Sequence, residues 1–195
     1  LIVNPHGGPF GPYDSWGYNP EVQMLASRGY AVMQVNFRGS GNYGKEFREK
    51  RYRQWGKTMQ DDLTDATRWA ISQGIADPDR ICIYGASYGA YAALMGAAKE
   101  PALYRCAVGN VGTYDLPIQL NYSTNGGGGM NPAKAFFGDV AQDDVAQYSP
   151  ARLAANIRIP VMLFAGEKDT TCPPEQTEMM YAALQKVGTP AEIKI

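Results

Sequence analysis

Stretches of consecutive apolar residues recur along the chain, and segments with helical periodicity separate them. Six of these stretches have the length of a strand: Leu1–Asn4, Ala31–Phe37, Arg80–Tyr84, Cys106–Asn110, Val161–Gly166 and Ala191–Ile195. Most are continuously apolar rather than alternating, which is typical of strands that are covered on both faces. The pattern therefore predicts an α/β fold, with a mostly parallel sheet and helices on both of its faces.

Helical signals fill the gaps between the predicted strands. Asn19 followed by Pro20 is a typical helix start, and a first helix is predicted from there. The segment Lys57–Gln73 places its apolar residues on one face, which predicts a surface helix. Ala90–Ala98 is apolar all round, so a helix there should pack against the sheet beneath other elements. Another helix is predicted over Pro174–Val187.

The segment Val111–Tyr148 is irregular and contains four consecutive glycines at 126–129. A loop of this length in a compact domain is usually either functional or disordered. Because it follows the predicted strand Cys106–Asn110, it should lie over the carboxyl edge of the sheet. The sequence favours a mobile lid over a mere linker, with Asn121–Asn131 as the most mobile part.

Composition narrows the class of protein. The chain has 195 residues, of which 45% are hydrophobic and 19% charged, as in one globular domain with a sizeable core. Lys and Arg number 18 against 19 Asp and Glu, and no basic stripe occurs, which argues against a nucleic-acid partner. The longest apolar run is about half of a membrane span, so no membrane partner is expected. Homo-oligomerisation and the cellular compartment stay open.

The three cysteines, Cys82, Cys106 and Cys172, are too few and too scattered for a disulfide framework or a metal site. Cys82 and Cys106 lie in predicted strands. The sequence therefore predicts thiols in the core, and neither a metal nor another cofactor is expected.

The candidate chemistry begins at Ser87. An apolar stretch ends abruptly in Gly85-Ala86-Ser87-Tyr88-Gly89, and an apolar helical pattern begins at Ala90. Strand, sharp turn and helix around G-x-S-x-G predict a nucleophile elbow, in which the flanking glycines permit a very tight turn and the serine hydroxyl is exposed. The alternative is an ordinary turn whose serine caps the following helix.

A nucleophilic serine needs donors for the oxyanion that forms during acyl transfer. The segment Asn4–Phe10 follows the first predicted strand and contains Gly7 and Gly8, whose backbone N–H groups can approach a substrate closely. It resembles the glycine-rich oxyanion motif of serine hydrolases, and the N–H of Tyr88 would be the other donor. A plain turn is the alternative. For His6, a contribution to the oxyanion hole and simple support of the loop are both open.

The acid and the base of a catalytic triad should follow the serine in that order. Asp169 comes shortly after the predicted strand Val161–Gly166, so its carboxylate should reach the same sheet edge as Ser87. Glu167 is the nearest competitor. The one histidine of the chain, His6, precedes Ser87, so the expected base would follow the sixth predicted strand, outside residues 1–195.

Several short motifs occur in a specific order along nearly the whole chain. They are HGGP (6–9), VNFRGSGNYG (35–44), QWG (54–56), DDLTDA (61–66), GASYGAY (85–91), YSP (148–150) and GEKDTTCPPEQ (166–176). Together they resemble the catalytic domain of the prolyl oligopeptidase family of serine peptidases. The resemblance is greatest to its acylaminoacyl-peptidase and dipeptidyl-aminopeptidase-like branch.

The resemblance implies an α/β-hydrolase fold and a serine peptidase that hydrolyses short peptides through an acyl-enzyme. It implies Ser87 as the nucleophile and Asp169 as the triad acid. The oxyanion hole would contain Tyr88, Gly7, Gly8 and, as an open question, His6. An apolar primary specificity pocket would be built from Tyr88, Val111, Tyr114 and Cys172. Thr171 departs from the family, because many relatives have there an arginine that grips a substrate carbonyl.

Family members carry a β-propeller before this domain and a C-terminal segment with the catalytic histidine. Neither is present in residues 1–195, so the resemblance implies a hydrolase domain truncated at both ends and nearly inactive as it stands. Two other functions stay open. One is an esterase or other acyl hydrolase, since the same triad cleaves activated esters. The other is a non-catalytic interaction domain that has lost the base.

Overall fold

The computed structural model describes residues 1–125 and 145–195, and its strands form one parallel sheet. The strands are β1 (Ile2–Asn4), β2 (Val32–Gln34), β3 (Cys82–Ala86), β4 (Cys106–Asn110), β5 (Val161–Phe164) and β6 (Ala191–Lys194). Their order across the sheet is β2-β1-β3-β4-β5-β6, and every neighbouring pair is parallel. Each strand overlaps one of the six apolar stretches, which confirms the predicted parallel sheet.

Helices connect these strands. They are α1 (Pro20–Ala26), α2 (Gly44–Glu49), α3 (Thr58–Ser72), α4 (Tyr88–Lys99), α5 (Leu116–Asn125) and α6 (Pro174–Lys186), with a 3-10 helix at Pro150–Asn156. Asn19 caps α1 as predicted, because its Oδ1 accepts the N–H groups of Glu21 and Val22. Residues 88–98 of α4 are all buried, as the apolar pattern predicts. In the part of the chain that is described, no helix has both the length and the apolar composition of a membrane span.

Helices lie on both faces of the sheet, as expected. Ile83 of β3 packs in a buried core together with Ala90 and Leu94 of α4. The next residue, Tyr84, points to the opposite face, where its hydroxyl donates a hydrogen bond to Glu21 of α1. The continuous apolar stretches predicted full burial of both faces, but Met162 of β5 is only half-buried within the described residues.

A second core cluster lies beside the elbow. It contains the rings of Phe37, Trp55, Tyr88 and Tyr91, called here the aromatic cluster, with further apolar residues from α3 and α4. The ring of Trp55 lies 4.6 Å from that of Tyr88 and 5.0 Å from that of Tyr91, measured between centroids. This cluster supports the start of α4, which directly follows Ser87.

Cys82 and Cys106 form a disulfide, with their Cα atoms 4.8 Å apart. They are register partners at the first positions of β3 and β4. The prediction of two core thiols is therefore wrong. The reason is that the pairing depends on which residues of two strands stand opposite each other, which local sequence does not specify. Cys172 is the free cysteine.

The segment Val111–Tyr148 is not irregular throughout, because Leu116–Asn125 forms α5. The four glycines and the rest of residues 126–144 lie outside the described residues. The mobility of Asn121–Asn131 and the role of this segment as a lid therefore stay predictions.

Candidate active site

Ser87 sits at the sharp turn between β3 and α4, with φ of 56° and ψ of −120°. A positive φ at a residue other than glycine is strained and is often found at functional sites. The backbone is held in place because the Ser87 N–H donates to the Asn110 carbonyl (2.9 Å) and the Ser87 carbonyl accepts from Ala90 N–H (3.0 Å). The Ser87 side chain makes no capping hydrogen bond to α4. The capping alternative is therefore wrong, and the side-chain contact of the hydroxyl is instead with the Cys172 thiol, 3.9 Å away.

Glycines let the loop after β1 pack directly on this turn. A Cβ built on Gly7 would lie 3.4 Å from the Ser87 Cβ and 3.1 Å from the Ala86 carbonyl oxygen. A Cβ built on Gly89 would overlap the carbonyl oxygen of Pro5. These close approaches bring the predicted oxyanion loop against Ser87, and side chains at either position would separate the two.

We expect Gly89→Ala to lower kcat/KM of the full-length protein by about 100-fold, since a shift of about 1 Å in an active site has such an effect. The added methyl group meets the backbone of Pro5, which cannot rotate away as a side chain would. The measurement is kcat/KM for hydrolysis of a peptide anilide, with the concentration of active enzyme determined by fluorophosphonate titration. The matched control is Gly17→Ala, because a Cβ at Gly17 meets no atom within 4 Å. Wild-type activity in Gly89→Ala would contradict this account.

The backbone N–H groups predicted to bind the oxyanion have no hydrogen-bond acceptor among the described residues. The N–H groups of Gly7, Gly8 and Tyr88 donate no hydrogen bond to any of the described residues. Tyr88 is the first residue of α4, where an N–H has no partner within the helix. Such preorganised, unused donors are what a developing oxyanion requires.

His6 is tied to neighbouring loops rather than to Ser87. Its Nδ1 lies 2.7 Å from the Gly7 carbonyl oxygen and its Nε2 lies 2.8 Å from Ser40 Oγ. The Ser40 hydroxyl in turn donates to the Phe37 carbonyl (2.7 Å), and the His6 ring stacks on the Phe37 ring at 4.4 Å. Both ring nitrogens are thus engaged, so a contact from His6 to an oxyanion would break one of these bonds. The geometry favours support of the loop.

The side chain of Tyr88 belongs to the core and not to the substrate pocket. It is 2% exposed, and its ring lies 5.3 Å from that of Phe37 within the aromatic cluster. Burial raises the pKa of the Tyr88 phenol far above its ordinary value, so the group stays neutral. The predicted contribution of its side chain to the pocket is corrected, and Tyr88 can contribute its backbone N–H.

Asp169 is held with one carboxylate oxygen free. Its Oδ1 accepts the N–H groups of Thr171 (2.8 Å) and Cys172 (2.9 Å). Its Oδ2 makes no hydrogen bond to a described residue, and the side chain is only half-buried. Glu167, the competing carboxylate, is exposed. Asp169 therefore has the fixed orientation and the open acceptor that a triad acid needs to hold a histidine.

Cys172 connects Asp169 to Ser87. Its Sγ lies 3.9 Å from Ser87 Oγ and 3.6 Å from Thr113 Oγ1, while its backbone binds Asp169. Burial raises the pKa of the Cys172 thiol, so the wall next to Ser87 is uncharged. Val111, another predicted pocket residue, directly follows β4 with a strained φ of 46° and is half-buried.

Tyr114 is not on the pocket surface as predicted. It is fully buried, and its ring fills space left by the absent side chains of Gly109 and Gly112. Burial raises the pKa of the Tyr114 phenol far above its ordinary value. The local sequence could not show this, because a loop tyrosine after a strand can point toward solvent, pocket or core.

Sequence reasoning missed Gln176, which joins the loops beneath the site. Its Oε1 accepts the N–H groups of Tyr114 (2.8 Å) and Asp115 (2.7 Å), and its Nε2 donates to the Asp115 carbonyl (2.9 Å). Gln176 is fully buried at the start of α6, seven residues after Asp169. The one signal was its place inside the GEKDTTCPPEQ motif.

Comparison with known proteins shows the family and the fold of the chain. Residues 16–195 match the prolyl oligopeptidase family. The chain is 35% identical to dipeptidyl aminopeptidase BIII of Pseudoxanthomonas mexicana over 97% of its own length. It superposes on the acylaminoacyl peptidase of Pyrococcus horikoshii with a TM-score of 0.90, at 28% identity and over 100% of this chain. A puromycin-hydrolyzing peptidase of Mycobacterium tuberculosis gives a TM-score of 0.89, at 30% identity and over 99% of this chain.

The chain corresponds to only part of each of these proteins. It spans 28% of the Pseudoxanthomonas enzyme, 31% of the Pyrococcus chain and 29% of the Mycobacterium chain.

Proposed function

The chain belongs to the prolyl oligopeptidase family, and from this membership we propose that the protein is a serine peptidase that hydrolyses short peptides through an acyl-enzyme on Ser87. Its domain has the α/β-hydrolase fold expected from the sequence. Relatives named as a dipeptidyl aminopeptidase, an acylaminoacyl peptidase and a puromycin-hydrolyzing peptidase support action on peptides over action on esters.

The proposed mechanism assigns each group of the site one task. Ser87 Oγ attacks the scissile carbonyl while its proton passes to a histidine from outside residues 1–195. The developing oxyanion accepts hydrogen bonds from the N–H of Tyr88 and from the Gly7-Gly8 segment. The same histidine protonates the leaving amine, and water then hydrolyses the acyl-enzyme. Asp169 Oδ2 accepts a hydrogen bond from the histidine and keeps it in the productive orientation.

One observation carries this proposal. The Ser87 hydroxyl sits on a strained turn without a capping role, and the N–H groups of Tyr88, the next residue, and of Gly7, which packs against Ser87, donate no hydrogen bond to the described residues. A turn that served only to connect β3 with α4 would have no need of positive φ at a serine. Acyl transfer requires a nucleophile and donors for the oxyanion that forms, and this arrangement offers both.

The function is tested on the full-length protein with matched substrates. A peptide anilide and a p-nitrophenyl ester with the same acyl part are compared, each with and without Ser87→Ala. Ser87-dependent cleavage of the anilide, with a fluorophosphonate adduct mapped to Ser87 by mass spectrometry, supports the peptidase. Cleavage of the ester alone would make the protein an esterase, and no Ser87-dependent cleavage of either would leave a non-catalytic domain.

We expect peptides with an apolar residue before the scissile bond to be cleaved about 10–100-fold faster than peptides with Lys or Asp there, because burying an unpaired charge is costly. The wall next to Ser87 is the neutral thiol of Cys172. The measurement is kcat/KM for anilides that differ only at this residue. Cys172→Val should keep the order of preference, whereas Cys172→Asp should shift it toward Lys. A wild-type preference for Lys or Asp would refute the apolar pocket.

A further inference from the structure

The site extends from Ser87 in two directions, each running across the strands of the sheet. Thr113 and Cys172 follow β4 and β5, and they lie on one side. The loops after β1 and β2 lie on the other, because the strand order is β2-β1-β3-β4-β5-β6 and Ser87 follows β3. If the acyl part of a peptide lies against Cys172, as in the proposed function, its leaving part runs toward the loops after β1 and β2. We call this the leaving side.

Arg51 is placed on the leaving side. Its guanidinium carbon lies 4.6 Å from the ring centroid of Phe10 and 5.0 Å from that of Tyr52. Phe10 belongs to the same loop as Gly7, which packs against Ser87. The Arg51 Cβ packs against Gly39, in the loop after β2, where an added Cβ would lie 2.9 Å away. Two rings and two loops therefore hold this side chain in one place.

Arg51 has no carboxylate partner among residues 1–125 and 145–195. Four other arginines each pair with a carboxylate: Arg38 with Asp62, Arg68 with Glu100, Arg105 with Asp79 and Arg152 with Asp115. Arg51 forms no ion pair with any described residue, and its Nε is shielded from solvent without donating a hydrogen bond. Its Nη2 donates a long hydrogen bond to the exposed Tyr52 hydroxyl (3.4 Å), and its positive charge has no carboxylate among the described residues. A partly desolvated guanidinium without an anionic partner is costly, and binding of an anion would offset that cost.

We propose that Arg51 binds a carboxylate on the leaving part of the peptide, about two residues after the scissile bond. Two extended residues span about 7 Å. Two strand spacings, from β3 to β2, span about 10 Å, and the long arginine side chain covers the difference. The guanidinium fork matches a carboxylate in a bidentate geometry. The proposal rests on the proposed function and makes it more specific, because it selects peptides that end shortly after the cleaved bond.

The kinetic test uses the full-length protein and three peptides with one sequence before the scissile bond. The leaving part is Ala-Ala with a free carboxylate, Ala-Ala amide, or Ala-Glu amide, so that a C-terminal and a side-chain carboxylate are compared separately. We expect wild type to prefer at least one carboxylate form over Ala-Ala amide by about tenfold to hundredfold in kcat/KM, mainly through KM. Arg51→Gln should reduce this ratio to about one, and Arg51→Lys should keep part of it.

Arg48→Gln is the matched control, because it removes the same charge from an exposed position of α2 three residues away. It should leave the carboxylate preference in place, which separates direct contact from a general electrostatic effect. An equal preference in wild type and Arg51→Gln would overturn the proposal while the peptidase function stands.

A binding test applies even if no turnover is found. The same peptides are titrated calorimetrically into Ser87→Ala protein, with and without Arg51→Gln. Tighter binding of a carboxylate form by about tenfold or more, lost in Arg51→Gln, supports the carboxylate site. Equal binding of the carboxylate and amide forms by Ser87→Ala protein with Arg51 intact overturns it.

Discussion

Ser87→Ala in the full-length protein is expected to lower peptide hydrolysis by about 10⁶-fold, the size of the effect when a triad nucleophile is lost. The nearest other nucleophile is the Cys172 thiol, with Sγ 3.9 Å from Ser87 Oγ. It should not substitute, because burial raises the pKa of this thiol and keeps it protonated at neutral pH. The measurement is kcat/KM on a peptide anilide for purified variant and wild type.

The loss of activity in Ser87→Ala should come from the missing nucleophile and not from unfolding. The Ser87 hydroxyl makes no capping bond, and alanine meets the same positive φ as serine, so the thermal unfolding midpoint should hardly change. Ser72→Ala is the control, since Ser72 is exposed near the end of α3 and should keep full activity. Residual turnover above about 1% of wild type in Ser87→Ala would show that another group is the nucleophile.

A protein consisting of residues 1–195 alone is expected to be about 10⁶-fold less active than the full-length protein, since loss of the triad base has an effect of this size. The one histidine in these residues is His6, and its ring nitrogens are engaged by Gly7 and Ser40. Without a base, Ser87 keeps its proton at neutral pH and attacks slowly. The measurement compares Ser87-dependent anilide hydrolysis by the two proteins, with circular dichroism to verify that the short form folds.

Replacement of His6 in the full-length protein gives the matched comparison. His6→Gln should lower activity far less than removal of the segment with the base, because the ring of His6 supports the oxyanion loop and does not accept the serine proton. Comparable Ser87-dependent turnover by the short and full-length proteins would mean that the base lies within residues 1–195 and has been misassigned.

Local sequence determined the positions of the strands and the position of the nucleophilic serine. Most strands coincide with continuous apolar stretches and the last with the alternating stretch Ala191–Ile195, so the positions of all six strands could be read from local sequence. The cap at Asn19 and the turn around Ser87 depend on a few adjacent residues with narrow backbone requirements, and both were predictable for that reason. The order of short motifs then indicated the family, because several motifs in sequence are far more specific than one.

Only the tertiary structure decided the contacts between residues that are far apart in the sequence. The Cys82–Cys106 disulfide requires a strand register, and the burial of Tyr114 requires the space beside Gly109 and Gly112. That the described residues place aromatic rings and no carboxylate beside the Arg51 guanidinium becomes visible only in the folded chain. Periodicity reports which face of an element is buried, but it carries no information about which residue of another element lies opposite, and these contacts join segments far apart in sequence.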